Sequence, residues 1–248
     1  MSRGVADIAP ARLALLNGGT VASATLTEGL AIDFAQLLAA AVPAIGPARL
    51  DRMRAQATAG ITGRMALAAQ LLLEAGADLA MLQAHPSDTV RGWACFAIAD
   101  QPGLTLPQRL AALRPLADDG HFGVREWAWL ALRPRLAAHL LEAIALLAPW
   151  TADPSERVRR FACEALRPRG VWCAHIARLK AEPQLALPLL QPLRADPAVY
   201  VQDSVANWLN DAAKSQPDWV RSLCTQWLQE SPVAATARIC KRAQRSLA

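Results

Sequence analysis

Four segments of this 248-residue chain align with one another without a gap, and that repetition limits the fold more than any other feature. They are HPSDTVRGWACFAIAD from His85, DGHFGVREWAWLALRP from Asp119, DPSERVRRFACEALRP from Asp153 and DPAVYVQDSVANWLND from Asp196. Their shared valines, Val90, Val124, Val158 and Val201, stand 34, 34 and 43 residues apart. Apolar runs such as LPQRLAALRPLA and HLLEAIALLAPW fill the intervals, so each unit reads as helix, turn, helix. The DP opening reads as a helix start, with Asp able to cap and Pro near the first helical position. A unit of this kind buries its face only against its neighbours, so such units stack into a curved solenoid.

Composition agrees. Hydrophobic residues make up 53% of the chain and aromatics 5%, so the apolar mass is mostly Ala and Leu, the strongest helix formers. The expected fold is all-α: a HEAT-like α-solenoid of antiparallel helix pairs in a single domain. Residues 1–48 form an N-terminal helical cap, 49–216 the repeats, and 217–248 C-terminal capping helices that include the basic amphipathic TARICKRAQRSL. RMALAAQLLLEAGADLAM, Arg64 to Met81, reads as the first helix of the earliest clear unit. No uncharged apolar stretch approaches the ~18 residues of a membrane span, and the N-terminus lacks a secretory pattern, so a cytoplasmic protein is expected. The five cysteines include no CxxC pair, and with four scattered histidines they offer no zinc spacing. Buried reduced thiols, and neither metal nor cofactor, are expected. The net charge of +5 is compatible with a polyanionic partner without establishing one.

Counting from each valine at about 100° per residue separates two faces. Positions zero, four and eight hold Val90, Ala94 and Ile98; Val124, Ala128 and Leu132; Val158, Ala162 and Leu166; Val201, Val205 and Leu209. All twelve are apolar and they form the core stripe. Positions two and six lie opposite and hold Gly92 and Phe96, Glu126 and Leu130, Arg160 and Glu164, Asp203 and Asn207. Position nine adds Arg133, Arg167 and Asn210. The reading is a charged strip along a groove, with Glu164 outside the core among cations. A solvated helix face carrying ordinary i,i+4 pairs reads the same way. Arg91, Arg125 and Arg159 recur at position one, where inter-repeat ion pairs and phosphate contacts are both open. Trp172 stands apart from the packing tryptophans, because it follows the RPRG break and sits in a turn.

VREWAW followed by LRP, then RRFACEALRPRGVW and YVQDSVANWLNDAAKSQPD, resemble the HEAT-like bacterial alkylpurine DNA glycosylases of the AlkC and AlkD family, nearer the AlkC branch. The similarity is strongest over residues 119–217, and SVANWLNDAAKSQPD is its most specific part. The resemblance implies monofunctional excision of cationic N3-alkylated bases, 3-methyladenine above all, from duplex DNA without base flipping. It implies a monomer in the bacterial cytoplasm, associated with the nucleoid when on DNA. Carried over residue by residue, the carboxylates fall on Glu126, Glu164 and Asp211 and the aromatic partner on Trp172. Asp203 and Asn207 compete with Asp211, which lies near 280° on the ideal wheel, off the centre of the strip. The phosphate-gripping set is Arg125, Arg133, Arg159, Arg160, Arg167, Arg169, Asn207, Asn210 and Lys214.

Two departures from the family pattern matter. Some AlkC proteins carry an additional C-terminal immunoglobulin-like domain, which is not expected within these 248 residues. Asn207 stands where AlkD-type proteins place an aromatic residue. Two other functions fit the same repeats: a non-catalytic HEAT protein that binds damaged or branched DNA, and a protein-interaction scaffold.

Overall fold

The computed structural model describes residues 4–247, so the first three residues of the expected N-terminal cap and the last residue of the C-terminal one lie outside it. Among the described residues every regular element is helical and there is no strand. The chain divides into two compact units, the first ending at Ala131 and the second beginning at Leu132. No described helix is long and apolar enough to cross a membrane.

The first unit contains α1 (Pro10–Asn17), α2 (Leu26–Ala31), α3 (Phe34–Ala41), α4 (Pro47–Ala55), α5 (Ile61–Glu74), α6 (Leu79–Gln83), α7 (Asp88–Asp100), α8 (Leu106–Ala117) and the start of α9 (Phe122–Ala138). The helix expected over Arg64–Met81 is divided. Gly76 takes φ +64°, and the N–H groups of Gly76 and Ala77 turn back to the carbonyls of Leu73 and Leu72, which ends α5 in a Schellman-type stop. Asp78 then caps α6 by accepting from the Ala80 and Met81 N–H groups. LPQRLAALRPLA is α8, opened by a capping box between Thr105 and Gln108. α5, α6 and α8 all pack on α7.

The second unit contains α10 (Leu140–Leu147), α11 (Glu156–Glu164), α12 (Ala177–Ala181), α13 (Leu187–Leu190), α14 (Val199–Ala213), α15 (Pro217–Glu230) and α16 (Ala234–Ala243). Here α14 packs on α11, α15 and α16. The longer last interval between the repeat valines is spent on the loop and short helices between α11 and α14.

All twelve residues of the expected stripe are at most 2% exposed, so the phase of the repeat is right throughout. The helix starts are built differently from the expectation. The aspartates do not cap. Asp119, Asp153 and Asp196 each accept the N–H two residues on, from His121, Ser155 and Ala198. The cap of α11 is Ser155, whose hydroxyl accepts from the Arg157 N–H, and Pro154 precedes that cap rather than following it. The aspartate also receives the position-one arginine of the preceding repeat. Arg91 reaches Asp119 at 2.9 Å, and Arg159 reaches Asp196 at 2.7 Å and 3.0 Å. Each arginine also donates to two carbonyls of the turn just before its own helix. Arg125 does the same with the carbonyls of Asp119 and Gly120. Arg91 and Arg159 fasten repeats together, and the Arg159 guanidinium is committed to Asp196 and to two carbonyls.

All five cysteines are free thiols and Cys95, Cys163, Cys224 and Cys240 are buried. Burial pushes the Cys163 thiol up to about 12.

Candidate functional site

The second unit gathers its charged residues where α11 ends. Glu164 is the last residue of α11, and the chain then leaves the helix through Ala165–Ile176 before α12 begins. Arg167 therefore does not continue the helical wheel. Its N–H turns back to the Glu164 carbonyl, and its side chain lies between two carboxylates. Nη1 donates to Glu164 Oε1 at 2.7 Å, and Nε donates to Asp211 Oδ2, on α14, at 2.9 Å. One guanidinium thus clasps Glu164 and Asp211 together. Ser204, one turn into α14, donates its hydroxyl to Glu164 Oε2 at 2.5 Å, and Arg160 Nη2 stands 3.7 Å from that same oxygen.

This overturns the expectation that Glu164 lies on an open strip. It is 3% exposed, because α14 crosses the face of α11 that the wheel assigns to solvent. Burial opposes the charge on Glu164, but Arg160 and Arg167, with the hydrogen bonds from Ser204 and Arg167, outweigh it and hold its carboxyl below the usual carboxylate range. Arg167 is the complement. Burial opposes its charge too, and Glu164 and Asp211 raise its pKa above the ordinary value.

Asp211 is placed by the same clasp. It lies off the strip on an ideal wheel, and Arg167 reaches it because Arg167 has left the helix. Asp203 and Asn207, its competitors, face elsewhere: Asp203 pairs with Arg238 and Arg242, and Asn207 accepts from Arg245. The two carboxylates are not equally occupied. Both oxygens of Glu164 hold hydrogen bonds. On Asp211 the clasp takes Oδ2, while Oδ1 has Lys214 Nζ at 3.7 Å.

The loop beyond α11 is pinned from both flanks. Arg133, on α9, donates to the carbonyls of Ala165, Arg167 and Ala174. Arg169 bonds the Asp211 carbonyl and the Ser215 hydroxyl, and the Trp208 indole donates to the Leu166 carbonyl. From this loop Val171 and Trp172 project, 60% and 50% exposed. Trp172 has φ +60°, the one positive φ outside glycine among the described residues. A bulky residue in the left-handed region is strained, and strain of this kind persists where the surroundings impose it.

Several residues of the expected phosphate-gripping set are spent internally. Arg133 is 2% exposed and burial pushes its pKa down. It holds the loop rather than a ligand. Asn210 is 4% exposed and donates to the Ala243 carbonyl and the Ser246 hydroxyl. Arg160 lies over the Tyr200 ring at 4.7 Å, and Arg167 is the clasp. Lys214 remains exposed. Glu126 lies in the first unit, half-buried, where its Oε2 accepts from the Trp129 indole at 2.8 Å. Ser204 is absent from every sequence-based expectation. Its sequence signal is its place at the head of SVANWLNDAAKSQPD, the stretch that carries the resemblance most specifically.

Residues 79–167 match the family model for HEAT repeats. Among solved structures the chain is similar to the Pseudomonas fluorescens alkylpurine DNA glycosylase AlkC bound to DNA containing an abasic site analog. The two are 30% identical with a TM-score of 0.68, over 86% of this chain and 61% of that one. It is also similar to AlkD2 from Streptococcus mutans, at 20% identity and a TM-score of 0.56, over 80% of this chain and 88% of that one; this likeness is one of fold. A curated relative, the uncharacterized protein YhaZ of Bacillus subtilis (strain 168), is 41% identical over 76 residues. The chain spans less than two thirds of the AlkC chain, and the match covers 31% of this chain and 21% of YhaZ. The HEAT-like fold is shared, and the structural neighbours are the AlkC and AlkD proteins that the sequence resembles.

Proposed function

We propose that the protein is a monofunctional DNA glycosylase of alkylation repair, hydrolysing the N-glycosidic bond of cationic N3-alkylated bases such as 3-methyladenine in duplex DNA. The observation that carries this reading is the clasped carboxylate pair, Glu164 and Asp211 on Arg167, beside a loop that presents an exposed, strained Trp172. The AlkC likeness supports the same class of reaction.

An N3-alkylated adenine already bears positive charge, so it leaves without a general acid. The demand moves to the deoxyribose, where positive charge develops as the bond breaks. A carboxylate held ionised and pre-oriented stabilises that charge without reorganising. In this reading Asp211 faces the reaction, because its Oδ1 is the less occupied oxygen, and it orients the attacking water. Glu164 acts through Arg167, fixing the guanidinium that fixes Asp211. Trp172 adds a cation–π contribution of about 0.5–2 kcal/mol against the sugar cation. Arg169 and Lys214, on the same unit, contact backbone phosphates.

The saturation of Glu164 by Ser204 and Arg167 favours a second reading, a non-catalytic protein that binds damaged DNA through the same scaffold. Single-turnover release of methylated bases from methylated duplex DNA separates the two. Wild type is expected to release 3-methyladenine. Asp211→Asn and Trp172→Ala are expected to be slower, the first by about a hundredfold or more, with melting temperatures measured alongside to show that each variant is folded. No release by wild type at protein concentrations that saturate the DNA would sink the glycosylase reading.

A further inference from the structure

The C-terminal helix carries more positive charge than the fold uses. α16 seats itself through Thr236, Ile239, Cys240 and Ala243, all buried, and leaves its arginines along the flank of α14. Arg238 Nη2 donates to Asp203 Oδ1 at 2.7 Å, and Arg242 Nε stands 3.1 Å from that same oxygen. Just past the helix, Arg245 Nη2 donates to the Asn207 side-chain oxygen at 2.9 Å. Three guanidinium groups therefore meet one carboxylate and two neutral amides, Asn207 and Gln202, which accepts from Arg238 Nη1 at 3.3 Å, and two positive charges are left over.

These contacts do little for stability. The side chains of Arg238, Arg242 and Asp203 are 33%, 43% and 37% exposed, and ion pairs at that exposure contribute about 0–1 kcal/mol each. Each guanidinium has five N–H donors in a planar fork, and these contacts engage only a few of them. Arg238 and Arg242 lie one turn apart, about 6 Å along the helix, and both lean on a single oxygen. Asp203 thus works as a pivot. It gathers the two arginines at one point while their side chains stay partly exposed.

We propose that Arg238, Arg242 and Arg245 form a grip for the backbone phosphates of duplex DNA, with Asp203 and Asn207 as the residues that pre-position it. A guanidinium fork matches a phosphate bidentately, and a partner with one charge every ~3.4 Å per strand neutralises the surplus that the fold leaves. The grip rests on the reading of this chain as a DNA-acting protein, but it is measured by binding alone.

The test follows the affinity of the full chain for a short undamaged DNA duplex across a series of KCl concentrations. The Arg238→Gln, Arg242→Gln, Arg245→Gln triple variant should bind at least tenfold more weakly at low salt. Its slope of log affinity against log salt should be shallower by about 2–3, since each lost phosphate contact removes ~0.9. Asp203→Asn should act oppositely, because it removes the carboxylate that competes with phosphate: binding tightens severalfold, a gain that misfolding cannot imitate. An unchanged slope in a folded triple variant overturns the proposal, and so does unchanged or weaker binding by Asp203→Asn. Loss of affinity for duplex RNA without loss for DNA also overturns it. If wild type releases no methylated base yet shows arginine-dependent DNA binding, the glycosylase reading fails and the grip stands.

Discussion

α7 and α11 begin from the same repeat and finish as opposites. Each has Val and Ala on the core stripe, Val90 and Ala94 in one, Val158 and Ala162 in the other, all wholly buried. Each sends its position-one arginine to the aspartate that opens the next repeat, Arg91 to Asp119 and Arg159 to Asp196. On the far face, α7 has Gly92 and Phe96, buried against apolar neighbours, whereas α11 has a half-buried Arg160 and a buried Glu164, set against charge. The repeat fixes how a helix is seated. It does not fix what the helix then buries. In α7 the far face adds to an apolar core, and in α11 the same positions build a charge cluster that contributes little stability of its own for what it costs to desolvate.

The strongest way to break this contrast is to remove the clasp. Arg167→Ala leaves Glu164 and Asp211 buried without the guanidinium they share, and breaking a buried pair from one side costs about 3–5 kcal/mol. Position nine of α7 is Ala99, so that repeat has no counterpart to lose. Urea unfolding should show the drop, and base release should vanish with it. A loss below about 1 kcal/mol would mean that the cluster is solvated like an ordinary surface pair.

Ser204→Ala tests the same cluster more gently. Hydrogen bonds to charged groups are worth about 1.5–3 kcal/mol, and here Glu164 Oε2 would be left with Arg160 at 3.7 Å alone. The pH dependence has a definite sign. Against burial, Arg160 and Arg167 hold the folded-state pKa of Glu164 below the ordinary 4.5. Its contribution to stability is therefore complete above about pH 4.5 and is lost as pH falls through the lower folded value. The stability gap between wild type and Glu164→Gln should narrow on acidification, and in a Ser204→Ala background the narrowing should be complete at a higher pH. A gap that widens toward acid would contradict the assignment.

These residues also mark where the sequence stopped being readable. The stripe was legible because burial demands apolar side chains at a fixed phase, and Val158, Ala162 and Leu166 show it in their chemistry. Glu164 was not, because a charge pair covered by another helix and a charge pair in water have the same residue pattern. Arg167 was misplaced because the wheel ran past the end of α11. Pro168 was the available warning, since the residue before a proline avoids the helical region. Ser204 heads the most specific stretch of the resemblance, but its role is not legible there, being that of a small neutral residue that depends wholly on what crosses it. The arginines at position one read from sequence as either ion pair or phosphate contact, and the ion pairs of Arg91 and Arg159 with Asp119 and Asp196 appear only once the repeats are stacked.

On the α7 side the corresponding prediction is Gly92→Ala. Helix propensity alone favours alanine by about 1 kcal/mol. The new Cβ, however, would stand 2.6 Å from both Met65 Cε and Trp127 Cδ1. Met65 can swing its terminal methyl away, but the indole is fixed by its own packing, so the net effect should be a loss of about 1–2 kcal/mol. Thermal melting decides the sign. A stabilised variant would show that the apolar far face has room to yield.

The smallest effect separates strain from contact in the loop that only the α11 repeat carries. Trp172 is half exposed at φ +60°, so replacing it removes modest packing but changes the backbone cost. Glycine takes the left-handed region freely, and alanine does not. Trp172→Gly should therefore be more stable than Trp172→Ala by about 1 kcal/mol, although neither carries the ring and both should be slow in base release. Equal stability of the two variants would mean that the loop relaxes once the indole is gone. The positive φ would then be imposed by the tryptophan ring, and the pins from Arg133, Arg169 and Trp208 would only hold the flanks.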